Sequence, residues 1–192
     1  MPEHYFSDPD DGMTPDNCHP RFAQLAPDDF FYAGDDDFSP FGSDDGHDTL
    51  SFLEDWYRDG GQSKNIVTFL TNFLAGWDSP VPKAMLKADF HTLGKWLNEV
   101  KINDTYLQAE CRVRVATAFG QLRIVGSIEP RMLEEGLIGL RCQLLLNERA
   151  RTVYPEWKYA DLDRTRLLAM QSVLKQIKSM ATHATRKVLG KQ

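Results

Sequence analysis

Apolar residues recur along this chain with two different periods. Between Asp48 and Arg58 the spacing is helical, with Leu50, Phe52, Leu53, Trp56 and Tyr57 apolar. Asp48-Thr49 is placed to cap that helix and Gly60-Gly61 to end it. Ser63 can cap a second helix, in which Ile66, Val67, Phe69, Leu70, Phe73, Leu74 and Trp77 cover more than one face and so predict a central position in the core. Ser79-Pro80-Val81-Pro82 opens a third helix over Lys83 to Val100, on the spacing of Leu86, Phe90, Leu93 and Leu97.

Past Asp104 the period shortens to two. Leu107, Ala109, Cys111, Val113 and Val115 alternate with Gln108, Glu110, Arg112 and Arg114, the pattern of a half-buried strand over Thr105 to Phe119. Gly120 marks a hairpin into a second strand, Gln121 to Ile128, with Leu122, Ile124 and Ile128 inward and Arg123, Val125 and Ser127 outward. After Pro130 to Gly136 a third strand, Leu137 to Leu146, turns Ile138, Leu140, Cys142 and Leu144 inward and Arg141 and Gln143 outward. A connector rich in Arg and aromatics, Asn147 to Tyr159, leads to a long last helix opened by Asp161 or Asp163, with Leu167, Met170, Leu174, Ile177, Ala181, Ala184 and Val188 as its buried stripe. The expected fold class is α+β: a helical layer, a three-stranded antiparallel sheet and a long C-terminal helix. The α-β-β-β-α order from Lys83 to Leu189 resembles that of double-stranded-RNA-binding domains in topology alone. Those domains carry a Lys cluster where this chain has Tyr159-Ala160-Asp161-Leu162-Asp163, so no RNA-binding residue is carried over.

The first 47 residues read differently. Pro2, Pro9, Pro15, Pro20, Pro27 and Pro40 interrupt every pattern, which predicts an irregular arm (1–47) ahead of a single domain (48–192) that folds without it. Charge sharpens the division. Residues 1–62 hold sixteen acids against two bases, and the remainder twenty bases against twelve acids, within a net charge of −6. Such a split predicts an acidic arm that visits the basic surface of its own body. Aromatics are set among the acids, in Asp28-Asp29-Phe30-Phe31-Tyr32 and in Asp35-Asp36-Asp37-Phe38-Ser39-Pro40-Phe41. The second run is similar to the acidic, Pro-Phe-ending tail of bacterial single-stranded-DNA-binding proteins, although there the Phe ends the chain and supplies a carboxylate.

Candidate chemistry follows from these placements. Phe30, Phe31, Phe38 and Phe41 are candidate partner anchors, with packing on the protein's own body as the alternative. Arg112, Arg114, Arg123 and Arg141 share the outward face of the expected sheet and would present planar donors to an acidic segment or another anion, unless they only solvate that face. Lys175, Lys178 and Arg186 line the basic side of the last helix, a candidate anion contact. Cys18, Cys111 and Cys142 show no C-x-x-C spacing, so neither a disulfide framework nor a zinc ribbon is expected. Cys18-His19 lacks metal-ligand spacing, and Phe41 occupies a ligand position of the nearest calcium-like run, so no metal or cofactor is expected. Phosphate-loop, dinucleotide, nucleophile-elbow and zincin motifs are missing, and no catalytic residue is assigned. Without an apolar run of about 18 residues, no membrane partner is expected and the cytoplasm is the expected compartment. These features predict a non-enzymatic regulator, adaptor or chaperone-like protein acting by protein–protein contact. Its alternatives are a nucleic-acid-associated protein whose arm mimics a polyanion, and an enzyme whose site is assembled from distant residues.

Overall fold

A long helix, α5 (Asn103–Val125), runs through the middle of the molecule with α2 (Asp44–Arg58) and α6 (Pro130–Val153) as its main neighbours. The computed structural model describes residues 4–8 and 10–189, with side chains as far as 182. Short α1 (Pro20–Leu25), α3 (Ile66–Ala75) and α4 (Phe90–Glu99) pack around α5, and α7 (Ala160–Leu189) lies along α6. Ser43 caps α2 by accepting from the Gly46 amide at 3.2 Å, Asp89 caps α4 at Thr92, and Glu129 caps α6, whose first residue is Pro130. Leu167, Met170, Leu174 and Ile177 form the buried stripe of α7; Ala181, expected in it, is exposed, and Ala184 and Val188 lie outside the described side chains. Among the described residues no helix is long and apolar enough to cross a membrane.

The α+β class with its three-stranded sheet is overturned: the described residues contain no strand, only an isolated bridge between Asp8 and Gly12. The first two expected strands are one helix, α5, and the third lies inside α6. The likeness in topology to double-stranded-RNA-binding domains falls with them. The reason is burial. Every residue from Cys111 to Ile124 except Arg112 is buried, so this stretch of α5 has no solvent stripe from which a period of 3.6 could be read. Its apolar alternation also contains the helical series Leu107, Cys111, Val115, Phe119 and Leu122. Gly120 and Gly136, read as marking turns, and Gly139, placed inside the third strand, are sites of close approach instead. A Cβ on Gly120 would lie 2.8 Å from the Leu53 side chain, one on Gly136 would lie 2.7 Å from Ala118, and one on Gly139 would lie 2.7 Å from the Cys111 carbonyl oxygen. The expectation that the second helix is central also fails, since α3 buries only Ile66 and Leu70.

The arm is folded onto this frame. Phe22, Leu25, Ala26, Phe30, Phe31 and Phe41 are buried in the same apolar cluster as Leu53, Phe119, Leu122 and Leu174, so the core runs continuously across the boundary expected after His47. The arm also completes the C-terminal end of α5, whose last carbonyls have no partners within the helix. The Tyr5 amide donates to the Ile124 carbonyl at 3.1 Å, the His19 amide donates to that of Arg123 at 2.9 Å, and Arg21 donates to the Gly126 carbonyl at 3.2 Å. Gly126 ends α5 with φ of 70°, the left-handed conformation that favours glycine.

Candidate functional site

At the other end of α5, helix and arm enclose a groove of about 1150 Å³. One wall is the arm's loop from Asp35 to Pro40, the second is the early face of α5 with Gln108 and Arg112, and the third is the end of α6 with the connector into α7. Val115, Leu146, Leu167 and Met170 line its floor. Asn147, buried, ties the last two helices together: its side-chain amide donates to the Ala160 carbonyl at 2.9 Å and to Asp163 Oδ2 at 2.7 Å, while its Oδ1 accepts from Arg151 at 3.1 Å. Arg149 donates to Asn98 at 2.8 Å and fixes the end of α6 against α4. The rim is apolar and open. Tyr154 is 61% exposed, Val153 and Tyr159 are each 45% exposed, and Leu162 is 41% exposed.

Arg112 lines the groove from α5, 3.6 Å from Asp45 on α2. Burial pushes the Asp163 carboxyl above its ordinary value of 3.8, against the opposing pulls of the Asn147 hydrogen bond and of Arg112 and Arg151. Burial raises Asp45 in the same way, with Arg112 opposing it. Behind the loop, Arg166 lies 4.1 Å over the Phe30 ring and 3.5 Å from Asp36, so that the arm's acids do meet bases of the body.

The sequence-based candidates are dispersed. Arg112 reaches the groove. Arg114 is buried between Glu110 and Glu135, Arg123 is fully buried against Glu54 at 2.8 Å and Asn17 at 3.0 Å, and Arg141 donates to the Leu86 carbonyl at 3.3 Å and to that of Ala88. The common Arg face expected from the sheet does not exist, because a helix turns successive side chains by about 100° rather than alternating them between two faces. Phe30, Phe31 and Phe41 are core residues, whereas Phe38 is half-buried at the groove, 6.0 Å from Tyr159 between ring centroids. Lys175 and Lys178 are exposed on α7, with Lys175 donating to Gln171 at 2.6 Å; the Arg186 side chain lies outside the described residues. The residues missed were those of the connector and its flanks: Asn147, Tyr154, Trp157, Tyr159, Leu162 and Asp163. Their signal was the Arg- and aromatic-rich composition between two helical patterns. A shallower hollow of about 830 Å³ lies between α2 and α3, where Trp56, Phe69 and Phe73 form a partly exposed aromatic run. Among the described residues no three His, Cys, Asp or Glu are grouped so as to hold a metal ion.

Fold and groove together define an all-helical protein with an acidic, aromatic-rimmed cleft closed on one side by its own N-terminal segment. No protein-family model and no solved structure matches it significantly. Among curated proteins it is similar to the uncharacterized protein YfeS of Escherichia coli (strain K12), 26% identical over 142 residues, which cover 73% of this chain and 56% of the relative. The chain thus spans little more than half the length of that relative, whose name states no activity.

Proposed function

We propose that this protein is a regulator or adaptor that acts by contact with another protein, through the groove between the Asp35–Pro40 loop and the helical body. The observation that carries this reading is the apolar rim. Val153, Tyr154, Tyr159 and Leu162 are large, exposed and clustered around one cleft, and clusters of that kind mark interaction surfaces whereas scattered apolar residues do not. Tyrosine is also among the residues that dominate binding energy at such surfaces. Acids on the cleft wall favour a protein over a phosphate backbone there. The three cysteines are free and buried, which supports the cytoplasm as the compartment.

Affinity capture from the host with three versions of the full chain tests the proposal: wild type, Tyr154→Ser/Leu162→Ser, and Phe52→Ser as a control on the exposed α2 surface. A partner held by the rim is recovered by wild type and control. Its recovery drops roughly thirtyfold with the rim variant, as expected when a hot spot of about 2 kcal/mol is lost. Equal recovery by all three removes the groove from the interaction.

A further inference from the structure

We infer that the segment this groove receives is basic, with Lys or Arg side chains interleaved with apolar ones; the inference rests on the docking reading above. The charges left without partners decide it. Of the two arginines that line the groove, Arg112 is paired with Asp45 at 3.6 Å, while Arg149 donates to the neutral Asn98 amide oxygen at 2.8 Å and keeps its charge. On the acidic side, Asp36 is paired with Arg166 and Asp163 accepts from Asn147. Asp104, which accepts only from Thr105, remains beside Asp35, Asp37 and Glu156, whose carboxylates have no partner among the described residues. Six acids against two arginines line the cleft, so its charge is net negative even with Arg149 uncompensated and Lys158 at the rim, and the complementary ligand is cationic.

The aromatics agree with the acids. The chain itself holds one guanidinium in a site of this composition at the back of the same loop, where Arg166 is fixed between the Phe30 ring and Asp36. At the rim, the Lys158 ammonium stands 4.8 Å from the centre of the Tyr159 ring, so a ring face of the groove already accepts a cation. The floor of Val115, Leu146, Leu167 and Met170 gives a place to aliphatic side chains or to the stems of lysines. A volume of about 1150 Å³ takes several side chains at once, which suits a peptide segment better than a small cation.

The test uses the full chain and a fluorescent peptide of alternating Lys and Leu, beside peptides in which Gln or Glu replaces Lys, with spermidine as competitor. Anisotropy titrations should show the basic peptide binding most tightly, with an affinity that falls as salt is added. Neutralising two carboxylates, Asp35→Asn/Asp37→Asn, should weaken it on the order of tenfold. The control Asp10→Asn/Asp59→Asn should leave it unchanged, and circular dichroism checks that each variant is folded. Equal affinity for the Gln peptide overturns the cationic assignment while leaving the docking surface in place. Binding that depends on Asp35 and Asp37 but survives Tyr154→Ser/Leu162→Ser sinks the docking reading instead. Displacement by spermidine as effective as by unlabelled peptide reassigns the cleft to a polyamine. An affinity indifferent to Asp35→Asn/Asp37→Asn, or no binding of any peptide, also overturns the inference.

Discussion

Arg112 and Arg123 sit on the same helix in opposite environments. Arg123 is fully buried, and its neighbours supply what water would have: Glu54 accepts from it, Asn17 accepts from it, and Glu54 is further held by Ser7 and Arg58. Burial pulls its pKa down and Glu54 opposes that pull. Arg123 without Glu54 would be an uncompensated buried charge, a loss of about 3–5 kcal/mol, whereas Glu54 without Arg123 would keep Arg58. Arg112 instead stays half-exposed beside two carboxyls, of which Asp163 gives a pH signature. Its pKa in the folded state lies above the ordinary 3.8, so the native state holds the proton more tightly than the unfolded chain. Stability from this group therefore falls as pH rises from about 3.8 through the raised folded value, and is constant above it. Asp163→Asn has no such loss and can still accept from Asn147. Thermal melts at stepped pH should show the variant gaining on the parent across that window and levelling off beyond it. A difference that does not change with pH would mean that Arg112 and Arg151 cancel the cost of burial.

Between elements, the contact that decides the packing is α5 against α6. Two glycines of α6, Gly136 and Gly139, let the helices approach until an added Cβ would meet Ala118 or the Cys111 carbonyl oxygen. Helix propensity and packing oppose each other here. Gly→Ala inside a helix gains roughly 1 kcal/mol when space is free. At Gly139 the obstacle is backbone, which cannot swing aside as a side-chain tip can, and overpacking costs about 1–3 kcal/mol. Gly139→Ala should therefore destabilise the protein in urea titration. Gly94→Ala on α4, where nothing lies within 4 Å, should stabilise it by about 0.5–1 kcal/mol. Equal signs for the two substitutions would show that the interface repacks easily.

The whole molecule is held together across the charge division of its sequence. The arm places Phe22, Phe31 and Phe41 in the main core, where Phe31 lies 5.6 Å from Phe119 between ring centroids. It also satisfies the Arg123 and Ile124 carbonyls and, through Ser7 and Asn17, the buried pair of Glu54 and Arg123. Burying one large apolar side chain contributes about 1.5–3 kcal/mol, so three phenylalanines approach the whole stability of an ordinary domain, about 5–15 kcal/mol. Deletion of residues 1–42 should abolish the cooperative transition in calorimetry, although the deleted part is rich in Pro and Asp. Survival of a sharp transition at an only slightly lower temperature would restore a body that folds without its arm.

What the sequence by itself determined were the features that depend on local pattern. The presence of helices near 48–58, 66–77 and 83–100 and most of the α7 stripe were legible from apolar spacing, but their starts were not: α2 begins behind Ser43 rather than Asp48, α3 begins at Ile66 with no side-chain cap, and α4 begins behind Asp89 rather than at Lys83. The unequal charge of the two parts and the aromatic-rich connector were legible in the same way. Tertiary structure alone decided the rest. A helix packed on all sides has polar residues that look outward on paper, and Glu110, Arg114, Gln121 and Arg123 take inward partners that no spacing announces. Gly120 and Gly136 read as turns, and Gly139 as a strand residue, because the residues that need their missing side chains are distant in sequence. The groove depends on the same long-range meeting: Asp35 and Asp37, Arg112, and Tyr154 to Asp163 become one surface only when the arm crosses α5 and α7 folds back along α6. Period and composition describe the neighbours of a residue along the chain, whereas a site is made by neighbours in space.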